Sequence, residues 1–409
     1  MHADNQAPPH RAALDIAVRL LDDFSGGRDA TPDPGIPVLA CLVAEMCGPR
    51  AKTSRPAGAP DPAAVASAGR AVAAWARTIG RGPCRPGLHD GGLAGTLIGL
   101  RLGARIHAPL HRAADRLRDH LLDKAGVRPW RTADVGLPDY DLICGPSGML
   151  LALCVGTPQP RRGQLIPFAV HLAELCDSGD LRRLRVGQYS GHPHLGWLQG
   201  RVNTGMGHGV AGLVAGLTAV VRRVGPEPEL LDALRGATRW LVRQSFDDAR
   251  SIRSWDGAGL DGPPAAGSRA RQAWCYGTPG ITWALWDAAD VLGDRVLADW
   301  AAAAFATLAE RYDEDFHLFG APLTDRLALC HGAAGVLAVA DAFHRWARLS
   351  AAAVLGARLA EHLTTRLPAA LAPGQPQTSL LAGAPGALAA LLTATHDTSR
   401  DWLPCIGLR

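Results

Sequence analysis

Aromatic residues are scarce in this sequence: only 4 tyrosines and 7 phenylalanines occur among 409 residues, whereas alanine and leucine abound. This balance favours helices over sheets, because alanine and leucine are good helix formers and strands are enriched in aromatic residues. A large excess of charge is also missing, since the formal net charge is +4 and basic residues are interspersed with acidic ones. The composition therefore predicts a packed, mostly helical protein and argues against a nucleic-acid-binding surface.

Targeting and membrane signals are absent as well. Residues 1–24 contain no apolar segment after a basic start, so we expect no secretory signal. No run of about 18 uncharged apolar residues is present to span a bilayer. The nine cysteines are an odd number in a large chain. These features argue against a disulfide framework and against an integral membrane segment, and they predict a cytoplasmic protein.

What the sequence does contain is an internal repeat. A Gly-x-x-Gly motif followed by an apolar run occurs six times, with the first glycines 53, 64, 68, 55 and 51 residues apart. Each interval is long enough for two helices and their loops. The motifs begin at Gly92, Gly145, Gly209, Gly277, Gly332 and Gly383.

The two helices of a repeat differ in polarity. Residues 210–221 show almost no polar face, which is typical of a helix buried on all sides, whereas residues 230–244 carry a single apolar stripe. This alternation predicts an all-α fold, an α/α toroid of about six or seven helical hairpins with an inner and an outer ring. We expect one domain over residues 1–409, with the motifs in residues 85–395 and a small inserted element at residues 160–203. The glycine motifs would begin the inner helices and lie together at one end of the ring.

Two cysteines and a histidine occupy equivalent positions in successive repeats. Cys275 lies two residues before the fourth motif, and Cys330 and His331 directly precede the fifth. Because the toroid would bring these loops together, the three side chains form a candidate zinc site with the fourth ligand position left open, as in catalytic zinc sites. The alternative is a buried thiol on each helix and a structural histidine.

Three further polar residues lie at the same ends of their repeats. His208 directly precedes the third motif, and a histidine is the natural proton carrier near neutral pH. Asp141 lies four residues before the second motif, and Arg271 lies four residues before Cys275. The alternatives are a histidine at a helix start, an aspartate that caps a helix and an arginine that is only a surface charge.

These segments resemble the lanthionine synthetase C-like family. The resemblance rests on "YDLICGPSG", "GMGHGVAG", "RQAWCYGTPG" and "LCHGAAG", and it extends over residues 85–395. It implies an α/α toroid with one zinc ion per chain, held by Cys275, Cys330 and His331. It also implies active-site roles for four residues: His208, Asp141, Arg271 and Tyr276.

Members of this family add a peptide cysteine thiol to a dehydroalanine or dehydrobutyrine of the same peptide, which forms a (methyl)lanthionine thioether ring. The resemblance implies a dehydrated precursor peptide, with leader and core, as the substrate. It implies a separate dehydratase as a partner, because the chain resembles the stand-alone cyclases. Zinc would favour the thiolate form of the substrate cysteine. Arg271 or Tyr276 would stabilise the enolate charge, and His208 would donate the proton. Asp141 would orient that histidine or receive the thiol proton.

Three other functions are alternatives. A relative within the family would add glutathione to dehydroamino acids instead of closing a ring. A non-catalytic scaffold would bind peptides and use zinc only to hold two repeats together, so that loss of the metal would unfold it. A glycosidase on the same fold needs a pair of carboxylates, and the sequence argues against it because only Asp141 stands out at these loop ends.

Overall fold

The computed structural model describes residues 9–27, 30–49, 60–82, 85–125, 130–156, 160–259, 271–318, 320, 322–371 and 377–409. Within these ranges the chain forms sixteen α-helices and one antiparallel pair of strands, β1 (Phe246–Asp247) and β2 (Arg253–Ser254). None of the helices described is long and apolar enough to cross a membrane. The helices are α1 (Pro9–Asp23), α2 (Gly35–Cys47), α3 (Pro62–Ala76), α4 (Leu93–Gly103), α5 (Leu110–Ala125), α6 (Pro146–Cys154), α7 (Arg162–Leu175), α8 (Val210–Val224), α9 (Pro228–Arg243), α10 (Thr278–Leu292), α11 (Arg295–Arg311), α12 (Glu314–His317), α13 (Leu323–Leu327), α14 (Ala333–Trp346), α15 (Ser350–Leu371) and α16 (Ala384–Thr395).

Seven of these helices form a closed inner ring. Each packs against the next in the order α2, α4, α6, α8, α10, α14 and α16, and α16 packs against α2. The outer helices α3, α5, α7, α9, α11 and α15 each pack on the inner helix that precedes them, and α1 packs on α16 and α3. The structure therefore confirms the α/α toroid, with seven inner and seven outer helices in the described part of the chain.

One inner helix, α2, has no glycine motif before it. A long-range contact joins its first residues to the last inner helix. The buried carboxylate of Asp33 accepts hydrogen bonds from the backbone N–H groups of Gly35 (2.9 Å) and Leu380 (2.6 Å). Leu380 lies in the loop before α16, so this carboxyl group joins the first inner helix to the last. Burial raises the pKa of Asp33 to about 6.

The glycine motifs begin the inner helices, as the sequence predicts. The first glycine of each motif directly precedes α4, α6, α8, α10, α14 or α16, and the second lies in the first turn. A Cβ atom at Gly148 would overlap the carbonyl oxygen of Leu142, and one at Gly212 would overlap that of Met206. A Cβ atom at the second glycine of each of the other four motifs would also overlap a carbonyl oxygen of the preceding loop. The missing side chains therefore let each loop pack directly on the helix that follows it.

Backbone hydrogen bonds join these loops around the ring, which brings the residues before the motifs together at one end. Such bonds give partners to backbone N–H groups that would otherwise be buried without one. Five bonds run from a backbone N–H group to a backbone carbonyl oxygen of another loop. They join Leu88 to Ile143 (2.9 Å), Leu142 to Gly207 (3.2 Å), Met206 to Cys275 (2.9 Å), Cys275 to Cys330 (3.3 Å) and Cys330 to Leu381 (2.9 Å), with the donor named first.

The C-terminal residues fill the centre of the ring. A 3₁₀ turn at Leu403–Ile406 packs on α6. The backbone of this turn and of Gly407 accepts hydrogen bonds from the side chains of two residues in the loops before α4 and α10 and of one residue in α10. Burial lowers the pKa of His89 to about 4, so this imidazole is neutral. The three bonds run from His89 to Cys405 (2.8 Å), from Trp274 to Ile406 (2.8 Å) and from Trp283 to Gly407 (3.1 Å).

A long connection between α7 and α8 extends across the end of the ring where the loops meet. It contains two 3₁₀ turns, Arg182–Leu184 and Gly196–Leu198. Val186 forms parallel bridges with both Val135 and Gln199. This connection is the later part of the segment 160–203, for which the sequence predicts an inserted element. The earlier part is α7, which packs on α6, α8 and α9 as an outer helix.

Candidate active site

Cys275, Cys330 and His331 lie side by side where the fourth and fifth motif loops meet. Their sulfur and imidazole nitrogen atoms are all within 4.8 Å of one another. The Sγ of Cys330 is 3.7 Å from Nε2 of His331. The backbone bond from Cys275 to Cys330 holds the two loops at this separation. Two sulfurs and one imidazole are a donor set that zinc accepts, and the arrangement fits a metal with one open position.

The two thiols affect each other's ionisation in opposite directions. A hydrogen bond with the Cys330 thiol lowers the pKa of Cys275 well below the ordinary value, and His331 and Arg271 add to this effect against the opposing effect of burial. The same hydrogen bond, together with burial, raises the pKa of Cys330. The first proton therefore leaves the pair easily, and the thiolate is the form of cysteine that binds metals.

His208 and Asp141 form a second cluster beside the first. Nδ1 of His208 is 2.6 Å from Oδ2 of Asp141, whose side chain is fully buried. A carboxylate can only accept, so Nδ1 carries a proton in this bond and Nε2 faces away from it. Burial lowers the pKa of His208, but the hydrogen bond and charge of Asp141, with smaller effects of Cys275 and Asp90, outweigh burial and raise it. The backbone N–H of Gly207 also donates to the carbonyl of Cys275 (3.4 Å), which ties the two clusters together.

Cys144 belongs to the His208 cluster rather than to the candidate metal cluster, which consists of Cys275, Cys330 and His331. Its backbone N–H donates to Oδ1 of Asp141 (2.8 Å), and its thiol lies 3.5 Å from Oδ2 of the same residue. Burial and the charge of Asp141 raise the pKa of Cys144, so the thiol stays protonated and can donate. Cys144 thus holds the Asp141 carboxylate by two hydrogen bonds.

Tyr276 and Arg271 lie at the edge of the metal cluster. The Tyr276 hydroxyl accepts a hydrogen bond from the side-chain amide of Asn203 (2.9 Å). Burial raises the pKa of Tyr276, so the phenol keeps its proton and can donate to a developing negative charge. Arg271 is exposed, and its positive charge acts on Cys275 and Cys330. All seven residues singled out in the sequence therefore lie at the same end of the toroid.

Sequence reasoning missed two residues at this end. Asp90 has a left-handed backbone (φ 54°), and its charge acts on both His208 and Cys330. It lies two residues before the first motif, the same repeat position as Cys275, and this equivalence is a signal that could have found it. Trp197 lies with its ring centroid 6.3 Å from that of Tyr276. No periodicity marks Trp197, because it lies in the long connection outside the repeats.

Comparisons with known proteins agree with this architecture. The family model described as "Lanthionine synthetase C-like protein" matches residues 110–406. Among solved structures, nisin cyclase is similar with a TM-score of 0.73 and 18% sequence identity, over 98% of this chain and 96% of that chain. No curated protein sequence matches the chain significantly. Since the family model covers well over half of the residues, the chain belongs to the lanthionine synthetase C-like family.

Proposed function

We propose that the protein is a zinc-dependent lanthipeptide cyclase. It would add cysteine thiols of a dehydrated precursor peptide to dehydroalanine or dehydrobutyrine residues of the same peptide and so close (methyl)lanthionine rings. The observation that carries this proposal is the position of the Cys275–Cys330–His331 cluster beside the His208–Asp141 pair. Membership of the family and the likeness to nisin cyclase support it.

The metal would be held by the two sulfurs and the imidazole of the first cluster. When bound, zinc supplies a Lewis acid that favours the thiolate form of a ligated thiol. Three protein ligands leave room for the sulfur of one substrate cysteine. Cys275 is buried and His331 is exposed, so the three side chains extend from the interior to the surface at this end of the ring.

Tyr276, Arg271 and His208 would stabilise negative charge and transfer a proton while the thiol adds to the alkene. A bond forms between the substrate sulfur and the β-carbon of the alkene, and the π electrons move onto the neighbouring amide as an enolate. The protonated hydroxyl of Tyr276 and the guanidinium of Arg271 are donors for that charge. His208 gives the proton on Nε2 to the α-carbon and regains one from solvent, which has received the proton of the substrate thiol. The net reaction therefore neither gains nor loses a proton.

Asp141 acts through His208 as a positioning residue. Its carboxylate holds Nδ1–H and so directs Nε2 away from the buried side. Its charge also raises the pKa of His208, which keeps more of the imidazole in the acid form near neutral pH. Cys144 fixes the carboxylate in turn.

A direct test is incubation of the purified, zinc-loaded protein with a dehydrated peptide that carries cysteine. Ring closure leaves the mass of the peptide unchanged while its free thiols, counted by alkylation, disappear faster than without enzyme. The Cys330→Ala variant is the matched control and should show only the enzyme-free rate. Inclusion of glutathione separates the alternative within the family, because addition of glutathione increases the peptide mass. Thiol loss at the enzyme-free rate would contradict the proposal.

A further inference from the structure

An exposed tryptophan lies beside the candidate active site. Trp197 is in the 3₁₀ turn Gly196–Leu198, and 47% of its surface is exposed to solvent. Its ring meets that of Tyr276 edge to face, with 6.3 Å between centroids and an angle of 62° between planes. A Cβ atom at Gly257 would lie 3.0 Å from the Trp197 ring and 3.6 Å from that of Tyr276. The two rings therefore form one aromatic surface that extends from the metal cluster to the solvent.

The turn holds this indole in place without burying it. The indole N–H of Trp197 donates to the carbonyl of His194 (3.1 Å). Nδ1 of His192 accepts the backbone N–H groups of both His194 (3.2 Å) and Leu195 (3.1 Å). The carbonyl of His192 accepts the N–H of Gly196 (2.9 Å). One of these four hydrogen bonds holds the indole itself and the other three order the turn that carries it, so part of the freedom that binding would otherwise remove is already lost.

The composition of this turn suits a peptide. Tryptophan is enriched among the residues that dominate binding at protein interfaces, and it offers a large rigid area at small cost in conformational entropy. His192 and His194 are exposed, with ring centroids 6.3 Å apart, and their imidazoles can exchange hydrogen bonds with a peptide backbone. The apolar indole face of Trp197 can contact an apolar side chain of a peptide. The neighbouring imidazoles of His192 and His194 can hydrogen-bond to the peptide groups on either side of that side chain.

We propose that the exposed face of Trp197 is a binding subsite for an apolar side chain of the substrate peptide, close in sequence to the reacting cysteine. This inference rests on the proposed function, because it places the peptide on the Tyr276 side of the metal cluster. Contact with Trp197 is the same before and during sulfur addition. It therefore contributes to binding of the peptide and leaves the chemical step unchanged.

The test compares three variants with the zinc-loaded wild-type protein. Trp197→Ala removes the aromatic surface, and Trp197→Phe keeps a smaller one. Trp346→Ala is the matched control, since Trp346 is 49% exposed but lies at the end of α14, where it contacts Arg409. Binding is measured by fluorescence anisotropy with a labelled dehydrated peptide whose cysteines are replaced by serine, and kcat and KM are measured with the cysteine-containing peptide.

We expect Trp197→Ala to raise both Kd and KM roughly tenfold or more, as for removal of an aromatic anchor, with kcat unchanged. Trp197→Phe should recover much of the loss, and Trp346→Ala should bind like the wild type. An unchanged Kd in Trp197→Ala would overturn the subsite, and so would a loss of kcat at constant KM. Failure of the wild-type protein to close rings would overturn the proposed function instead, and the anisotropy measurement would still report on the subsite.

Discussion

Nδ1 of His208 lies 2.6 Å from Oδ2 of Asp141, although 67 residues separate the two along the chain. The carboxylate is fully buried and one third of the imidazole is exposed. The bond therefore joins a fixed internal charge to a ring that solvent and substrate can reach. It directs Nε2 of the imidazole away from Asp141 and raises the pKa of His208, which keeps more of the doubly protonated acid form present near neutral pH.

Replacement of His208 should separate metal binding from proton transfer. His208 is not one of the three clustered metal-site residues, so His208→Ala or His208→Asn should keep zinc and peptide binding. Loss of a positioned acid typically costs about 10²–10⁴-fold, so we expect cyclisation at least about 100-fold slower. Dehydrated peptide with free cysteines would accumulate, measured by alkylation against an enzyme-free control. Cyclisation at the wild-type rate would show that another group donates the proton.

The pH profile of kcat should report the Asp141–His208 bond. An acid whose pKa is raised stays active at low pH and loses activity as the pH rises through that pKa. Asp141→Asn removes the charge, which lowers the pKa of His208 and should move the alkaline limb of the profile to lower pH. Cys144→Ala, which removes only one hydrogen bond to Asp141, should move it much less. An alkaline limb that stays in place in Asp141→Asn would rule out His208 as the titrating acid.

Metal content should depend on the two clustered cysteines and not on the other thiols. We expect about one zinc ion per purified chain, and its loss in Cys275→Ala or Cys330→Ala. Cys154→Ala is the control, because that half-buried thiol lies at the opposite end of α6. Elemental analysis of the four proteins is the measurement. Full occupancy in Cys330→Ala would remove this cluster from consideration as the metal site.

Removal of zinc should abolish cyclisation but leave the helical fold intact. The ring is closed by the packing of its inner helices and by the backbone bonds between loops, and neither requires a metal. Circular dichroism after chelation should therefore keep most of the helical signal. If the helical signal collapsed together with the activity, the metal would be a structural clip, as in the scaffold alternative.

The stability of the closed helical toroid should depend on Asp33. Asp33→Ala leaves the buried N–H groups of Gly35 and Leu380 without their acceptor, and we expect a loss of about 1–3 kcal/mol in the free energy of unfolding. Asp33→Asn keeps an oxygen acceptor and should lose less. Urea denaturation at one pH measures the difference. Equal stability of Asp33→Ala and the wild type would mean that packing alone joins α2 to α16.

The sequence by itself determined the helical repeat and the cluster of Cys275, Cys330 and His331. Apolar periodicity and glycine spacing are local properties, so six of the seven inner helices in the described part of the chain, and their first residues, could be predicted. In a closed ring of repeats, equivalent positions of successive repeats lie side by side. For this reason Cys275 and Cys330 could be predicted to lie close together although 55 residues separate them. The same rule applies to Asp90, which was overlooked because an aspartate is a less distinctive residue than a cysteine.

Only the tertiary structure decided the contacts between unlike segments. The outer helix α1 and the motif-free α2 complete the ring from the N-terminal region, and Asp33 reaches Leu380 across 347 residues. The thiol of Cys144 turned toward Asp141, and Trp197 was placed against Tyr276 by a connection that follows no repeat. Such contacts depend on how the closed ring orients each loop and side chain. That orientation arises from packing over the whole circle, which no local pattern encodes.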